Sequence, residues 1–125
     1  MAVTVVEARG LSSSSKLDFT GKLDPYAVVQ LERQKEITEK IKHTSNPRWN
    51  ANYNFYVSEP YATLDVTIFD KGKFLSDTFL GKVEIPVSSM EDKRESVAWY
   101  PLQGLYQGKN VTGEVFIKIF YSRDA

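Results

Sequence analysis

Short runs of β-branched and aromatic residues alternate with polar residues along this chain, and clusters of Gly, Pro, Asn, Asp and Ser separate the runs. A period of two with such punctuation is the pattern of strands and turns. It is clearest in "EVFIKIFY", where Val115, Ile117, Ile119 and Tyr121 face one way and Phe116, Lys118 and Phe120 the other. "TLDVTIF" sets Leu64, Val66 and Ile68 against Asp65 and Thr67. The pattern predicts strands near Ala2 to Ala8, Tyr26 to Glu32, Glu36 to Lys42, Ala51 to Val57, Leu64 to Phe69, Phe79 to Pro86, Val97 to Leu102 and Glu114 to Tyr121. About eight short strands so spaced predict an all-β fold, an antiparallel sandwich or barrel. One helical turn is expected in "VSSMEDKRES", capped by Ser88 or Ser89.

The length fits a single domain spanning 1–125, with one core and one function-bearing surface. Sixteen basic residues balance sixteen acidic ones, so no whole-molecule field draws the chain to nucleic acid and recognition by charge has to be local. The absence of cysteine excludes disulfides, thiolate metal sites and cysteine nucleophiles, and suits a reducing compartment. No apolar run reaches the roughly 18 residues of a membrane span and no leader pattern opens the sequence, so a cytoplasmic, monomeric chain is expected. His43 has no serine or cysteine partner pattern and no phosphate-cradling glycine loop is present, so no enzyme activity is expected. Ser12 to Ser15 read as a solvated loop, and Asn110-Val111-Thr112 as a chance sequon.

Candidate chemistry lies in two acidic stretches. Asp18 and Asp24 bracket "DFTGKLD" before the second predicted strand, and Asp70 and Asp77 bracket "DKGKFLSD" before the sixth. Both stretches follow odd-numbered strands, so an antiparallel sandwich can bring them out at one end. Four carboxylates gathered there repel one another unless a cation or basic neighbours balance them. A hard cation with oxygen ligands suits such irregular loops, calcium before magnesium. The other reading is ordinary surface charge, with Asp24-Pro25 as a turn opener.

"LDFTGKLDPYAVVQL", "KHTSNPRWNANYNF" and "LDVTIFDKGKFLSDTFLGKVEIPV" resemble, in order and spacing, the C2 domain family across nearly the whole chain. The resemblance implies an eight-stranded antiparallel β-sandwich whose loops at one end bind calcium and anionic phospholipid. "AVTVVEARGL" leads straight into the first acidic loop and "GEVFIKIFY" closes the chain, which resembles the second, permuted topology (type II). That topology is found in the C2 domains of Nedd4-type ubiquitin ligases, novel protein kinases C and phospholipase C-delta, and the closing segments also resemble the terminal C2 domain of intersectin. A module of a larger protein is implied. Calcium-binding members usually carry five aspartates. Asp18, Asp24 and Asp70 match three of those positions, Gly72 and Thr78 occupy the other two, and Asp77 lies one residue before the last. Fewer anionic ligands imply weak calcium binding, or none.

By the same resemblance, Phe19 and Phe74 stand at the loop tips where membrane-inserting members carry apolar residues. Leu75 and Leu23 would extend the wedge, with Lys22, Lys71 and Lys73 meeting anionic headgroups; alternatively the phenylalanines fold back as a cap. Lys35, Lys40, Lys42 and Arg48 form a candidate basic patch. The positions where family members use lysines to hold phosphoinositides carry Ile37 and Glu39 here, which favours an ordinary solvated face. Trp49 reads as a packed anchor. The implied function is membrane targeting through the loop tips, peripheral at membranes, and the alternative is a calcium-silent module that docks a partner protein or a neighbouring domain.

Overall fold

The computed structural model describes residues 1–12, 23–73 and 76–123. Its strands are β1 (Ala2–Arg9), β2 (Pro25–Leu31), β3 (Gln34–Ile37), β4 (Arg48–Asn54), β5 (Thr63–Asp70), β6 (Thr78–Pro86), β7 (Arg94–Pro101), β8 (Leu105–Tyr106), β9 (Lys109–Asn110) and β10 (Glu114–Tyr121). Two four-stranded sheets, ordered β4-β1-β10-β7 and β3-β2-β5-β6, face each other, and β8 and β9 form a separate small hairpin. Every pairing is antiparallel. The predicted eight-stranded sandwich is therefore the fold, in the arrangement where the last strand lies between the first and β7.

The alternation read from the sequence closes the two sheets on each other. Val115, Ile117, Ile119 and Tyr121 of β10 are buried while Lys118 and Phe120 are exposed. Leu64, Val66 and Ile68 of β5 and Ala27, Val29 and Leu31 of β2 meet them as one continuous core. Each such valine, leucine or isoleucine side chain stabilises the fold by about 1.5–3 kcal/mol when fully buried, so the seam between the sheets holds the sandwich. β1 departs from strict alternation: Val5 and Val6 are both buried where the register slips between Val5 and Glu7. Across that slip, Asn50 of β4 takes a left-handed φ of 48°, a conformation asparagine tolerates better than most residues.

Several predicted boundaries are corrected. β3 ends at Ile37 rather than Lys42, because the buried Thr38 takes the Ala27 amide on its own hydroxyl at 2.8 Å and ends the regular ladder. β4 begins at Arg48 and β7 at Arg94, both earlier than the alternation suggests. The helical turn is a three-residue 3₁₀ turn, Val87–Ser89, with no side-chain cap.

β1, β3 and β5 finish, and β2, β4 and β6 begin, at one end of the sandwich, so the loops that join them share that end. At the opposite end Glu32, with φ 56°, turns β2 into β3. Its carboxylate accepts from the Ser58 amide at 3.2 Å, the Ser58 hydroxyl at 2.5 Å and the Glu59 amide at 3.1 Å. The Ser58 hydroxyl contributes most to holding that carboxyl below its ordinary range. Tyr56 and Tyr61 stand out from this clamped loop, 70% and 78% exposed.

Asp65, between Gln30 and Glu84 on the outer face of β5, has one carboxylate oxygen buried with no hydrogen-bond partner among the described residues. Burial pushes its carboxyl above the ordinary 3.8, helped by Glu84 and opposed by Lys82. The folded state thus holds this proton more tightly than the unfolded chain, and ionisation at neutral pH subtracts from stability. Asp65→Asn is expected to raise the melting temperature at pH 7. The gain shrinks as pH falls through the raised pKa and vanishes below about 3.8; a gain independent of pH would assign the effect to shape rather than charge.

Candidate functional site

The loop end is organised around Asp24, which precedes β2. Its amide donates to Asp70 Oδ1 at 2.8 Å, its own Oδ1 accepts the His43 amide at 2.8 Å, and its carbonyl accepts the Lys71 amide at 3.0 Å. The Thr44 amide adds a bond to the Leu23 carbonyl at 2.8 Å. The approach to β2, the loop after β3 and the loop after β5 are thereby laced together through backbone groups. Trp49, half-buried against the core, donates from its indole nitrogen to the Pro25 carbonyl at 3.3 Å and braces the same corner, the anchoring role read from the sequence.

Asp77, just before β6, is held differently. Its Oδ2 accepts the Tyr26 hydroxyl and lies 3.7 Å from the Lys71 ammonium, and its Oδ1 accepts the Gly72 amide at 2.9 Å. The Tyr26 hydrogen bond, then the Gly72 amide and the Lys71 charge, hold the Asp77 carboxyl below its ordinary range. Burial, with Asp77 adding to it, pushes the Tyr26 hydroxyl up to about 12. Tyr26 also stacks on Phe69 at 5.7 Å, and Phe69 meets Phe79 edge-on at 6.3 Å, so an aromatic row on the outer face of β2, β5 and β6 supports the loop.

The structure thus brings Asp24, Asp70, Asp77 and Lys71 to one end, with Lys73 next along the same loop. Asp18, Phe19, Lys22, Phe74 and Leu75 lie outside the described residues. Leu23 does not extend a lipid wedge: it is 1% exposed and belongs to the core, drawn inward by the backbone bond to Thr44. The basic residues do not share a strand face. Lys35 lies on β3 opposite Gln30, Lys40 and Lys42 follow the end of β3, and Arg48 pairs with Glu7 at 3.4 Å. Lys40 and Lys71 instead flank Tyr26 and Ile37 around a shallow cavity of about 260 Å³. Nothing in the sequence signals the Tyr26 to Asp77 bond, which spans 51 positions.

A calcium ion asks for several oxygens in flexible geometry. Asp24 and Asp70 have the right chemistry: each is a carboxylate that accepts a backbone amide, and a carboxylate has roughly four acceptor sites. Asp77 suits it less, because the Tyr26 hydroxyl and Lys71 ammonium already take up its charge. Among the described residues no three acidic or histidine side chains converge as a metal cluster.

The profile described as "C2 domain" matches residues 1–102. The chain belongs to the C2 domain family. It is 35% identical to a C2 and GRAM domain-containing protein of Arabidopsis thaliana over 98% of its own length, and 33% identical to Intersectin-2 of Mus musculus over 94%. It spans only 12% and 7% of those relatives. Among solved structures, the C2A domain of plant Extended Synaptotagmin 1 superposes with a TM-score of 0.82 at 20% identity, over 97% of this chain and 92% of that one. A calcium-bound structure of the Extended-Synaptotagmin 2 C2A and C2B domains gives 0.76 at 22% identity, over 94% of this chain and 43% of that one. C2 domains commonly bind phospholipid membranes.

Asp77→Ala is expected to unlatch the loop after β5, speeding hydrogen exchange at the Gly72 amide at least tenfold while leaving core amides of β10 protected. Tyr26→Phe, which removes one hydrogen bond to a charged acceptor, is expected to lower stability by about 1–3 kcal/mol. Unchanged Gly72 exchange in the first variant would show that the loop is shaped without Asp77.

Proposed function

We propose that this C2 domain is a membrane-targeting module of a larger cytoplasmic protein, binding anionic phospholipid through its loop end as a peripheral, monomeric and non-catalytic unit with weak calcium dependence. The observation that carries the reading is the bond of 2.8 Å from the Asp24 amide to the Asp70 carboxylate, which holds the Asp70 side chain against the backbone of Asp24, next to Lys71. Asp24 and Asp70, with Asp18, would hold the ion, which would supply positive charge at the loop end for anionic headgroups. Lys71, Lys73 and Lys22 would add about 1 kcal/mol each near an anionic leaflet. Phe19, Phe74 and Leu75 would enter the acyl boundary. Since Lys71 already neutralises part of the acidic charge through Asp77, calcium would find fewer willing ligands here than in a full set of five aspartates.

The same ion pair supports a second reading, a calcium-silent domain that docks a partner protein or a neighbouring domain. Sedimentation with phosphatidylserine-containing liposomes, in excess calcium and in chelator, separates the two. Calcium-dependent pelleting that Phe74→Ser abolishes is the expected result, and Asp70→Asn should weaken it about tenfold. Pelleting indifferent to chelator would remove the calcium dependence while keeping the lipid. No pelleting in either condition would favour protein docking.

A further inference from the structure

The small hairpin of β8 and β9 has no part in the site described above. Its base is fixed on two sides. Gln103 and Lys82 of β6 exchange backbone hydrogen bonds at 2.9 Å each way, and the Val111 amide donates to the Gly104 carbonyl at 3.1 Å. Two glycines allow this approach where a side chain would not fit. A Cβ on Gly104 would lie 2.7 Å from the Phe79 ring, and one on Gly81 would lie 2.8 Å from the Leu102 Cβ. The Lys82 and Gln103 bridge is antiparallel. Since β6 runs away from the loop end, the chain after Gln103 runs toward it, past Phe79. On the return, the Thr112 hydroxyl donates to the Gly10 carbonyl at 2.9 Å and lies 2.7 Å from the Ser12 hydroxyl, which ties the hairpin to the start of the first acidic loop.

This braced projection carries Leu105 at 64% exposure, and Lys109 is exposed across the hairpin from the half-buried Tyr106. A left-handed Gln107 and Gly108 make the two-residue turn between them, at φ 52° and 78°. An exposed leucine on a braced tip does nothing for the core. Beside a lysine, and on the same end as Lys71 and Lys73, it matches the chemistry of an anionic bilayer, apolar beneath and negatively charged at its surface.

We propose that the β8–β9 hairpin is an additional membrane contact, with Leu105 entering the headgroup and acyl boundary and Lys109 pairing with anionic headgroups. The inference rests on the lipid-binding reading of the loop end and extends it to an element that none of the acidic loops contains. A contact set to one side of those loops also fixes the rotation of the domain on the bilayer, which a single cluster of tips leaves free.

The chain has no cysteine, so Leu105→Cys accepts one polarity-sensitive fluorophore, and Tyr56→Cys at the opposite end is the control. Both labelled proteins, and Leu105→Ser in unlabelled form, are mixed with phosphatidylserine and phosphatidylcholine vesicles in excess calcium. The expected result is a blue shift at position 105, quenched by spin-labelled lipid and missing at position 56. Leu105→Ser should bind these vesicles about three- to tenfold more weakly with an unchanged melting temperature. If the unaltered chain pellets with the vesicles while the probe at 105 stays in water and Leu105→Ser binds equally well, the hairpin stands off the bilayer and only this inference falls. If the unaltered chain does not pellet, the lipid reading falls and this one with it.

Discussion

Three loops at one end of the sandwich are held together through the backbone and carboxylate of Asp24. Its amide, carbonyl and side chain reach Asp70, Lys71 and His43, residues that belong to different connections between strands. These bonds join the approach to β2 to the loops after β3 and β5 and fix Asp70 against Asp24. The core supplies the platform for this lacing. Leu23, immediately before Asp24, is sunk among the inner faces of the sheets, so the packing that stabilises the fold also positions the residue that organises the loops.

Charge in this region is arranged as two separate devices. Asp24 and Asp70 accept backbone amides from other loops, whereas Asp77 accepts from a phenol and lies beside an ammonium of its own chain. The first pair ties the loops to one another through those amides. The second spends its charge on shaping the loop between Asp70 and Thr78. Carboxylates only a few positions apart can therefore serve different ends, and the aromatic row behind Tyr26 keeps the second device in place.

Much of this fold was legible in the sequence because burial by alternate residues is a local property. The run from Glu114 to Tyr121 announces a strand with one apolar face, and the structure gives the same bounds. Alternation carries β3 past its end because Thr38 acts through its side chain, a bond that alternation cannot register. The resemblance that puts Phe19 at a loop tip extends the wedge to Leu23, while the structure packs Leu23 into the core and bonds its carbonyl to Thr44, far along the chain. The carboxylates at the loop end could be named from spacing and resemblance. Their partners Tyr26, Gly72 and Lys71 could not, since a hydrogen bond across the sandwich leaves no periodic trace. The β8–β9 hairpin escaped for a related reason, being too short to show a period, with only Gly108 to mark its turn.

The strand order also sets an order of assembly. β10 lies between β1 and β7, so the first strand and the last are neighbours at the centre of one sheet, and Arg9 meets Glu114 across 105 positions. As the chain emerges from the ribosome, β1 can pair only with β4, and β7 has no partner in its sheet until the final strand is made. Closing so long a loop carries an entropic cost that the central pairing repays only at the end, which places this domain among slow folders dominated by distant contacts. Until that moment the edges of β1 and β7 that β10 will join stay unpaired, and the growing chain depends on whatever shields them.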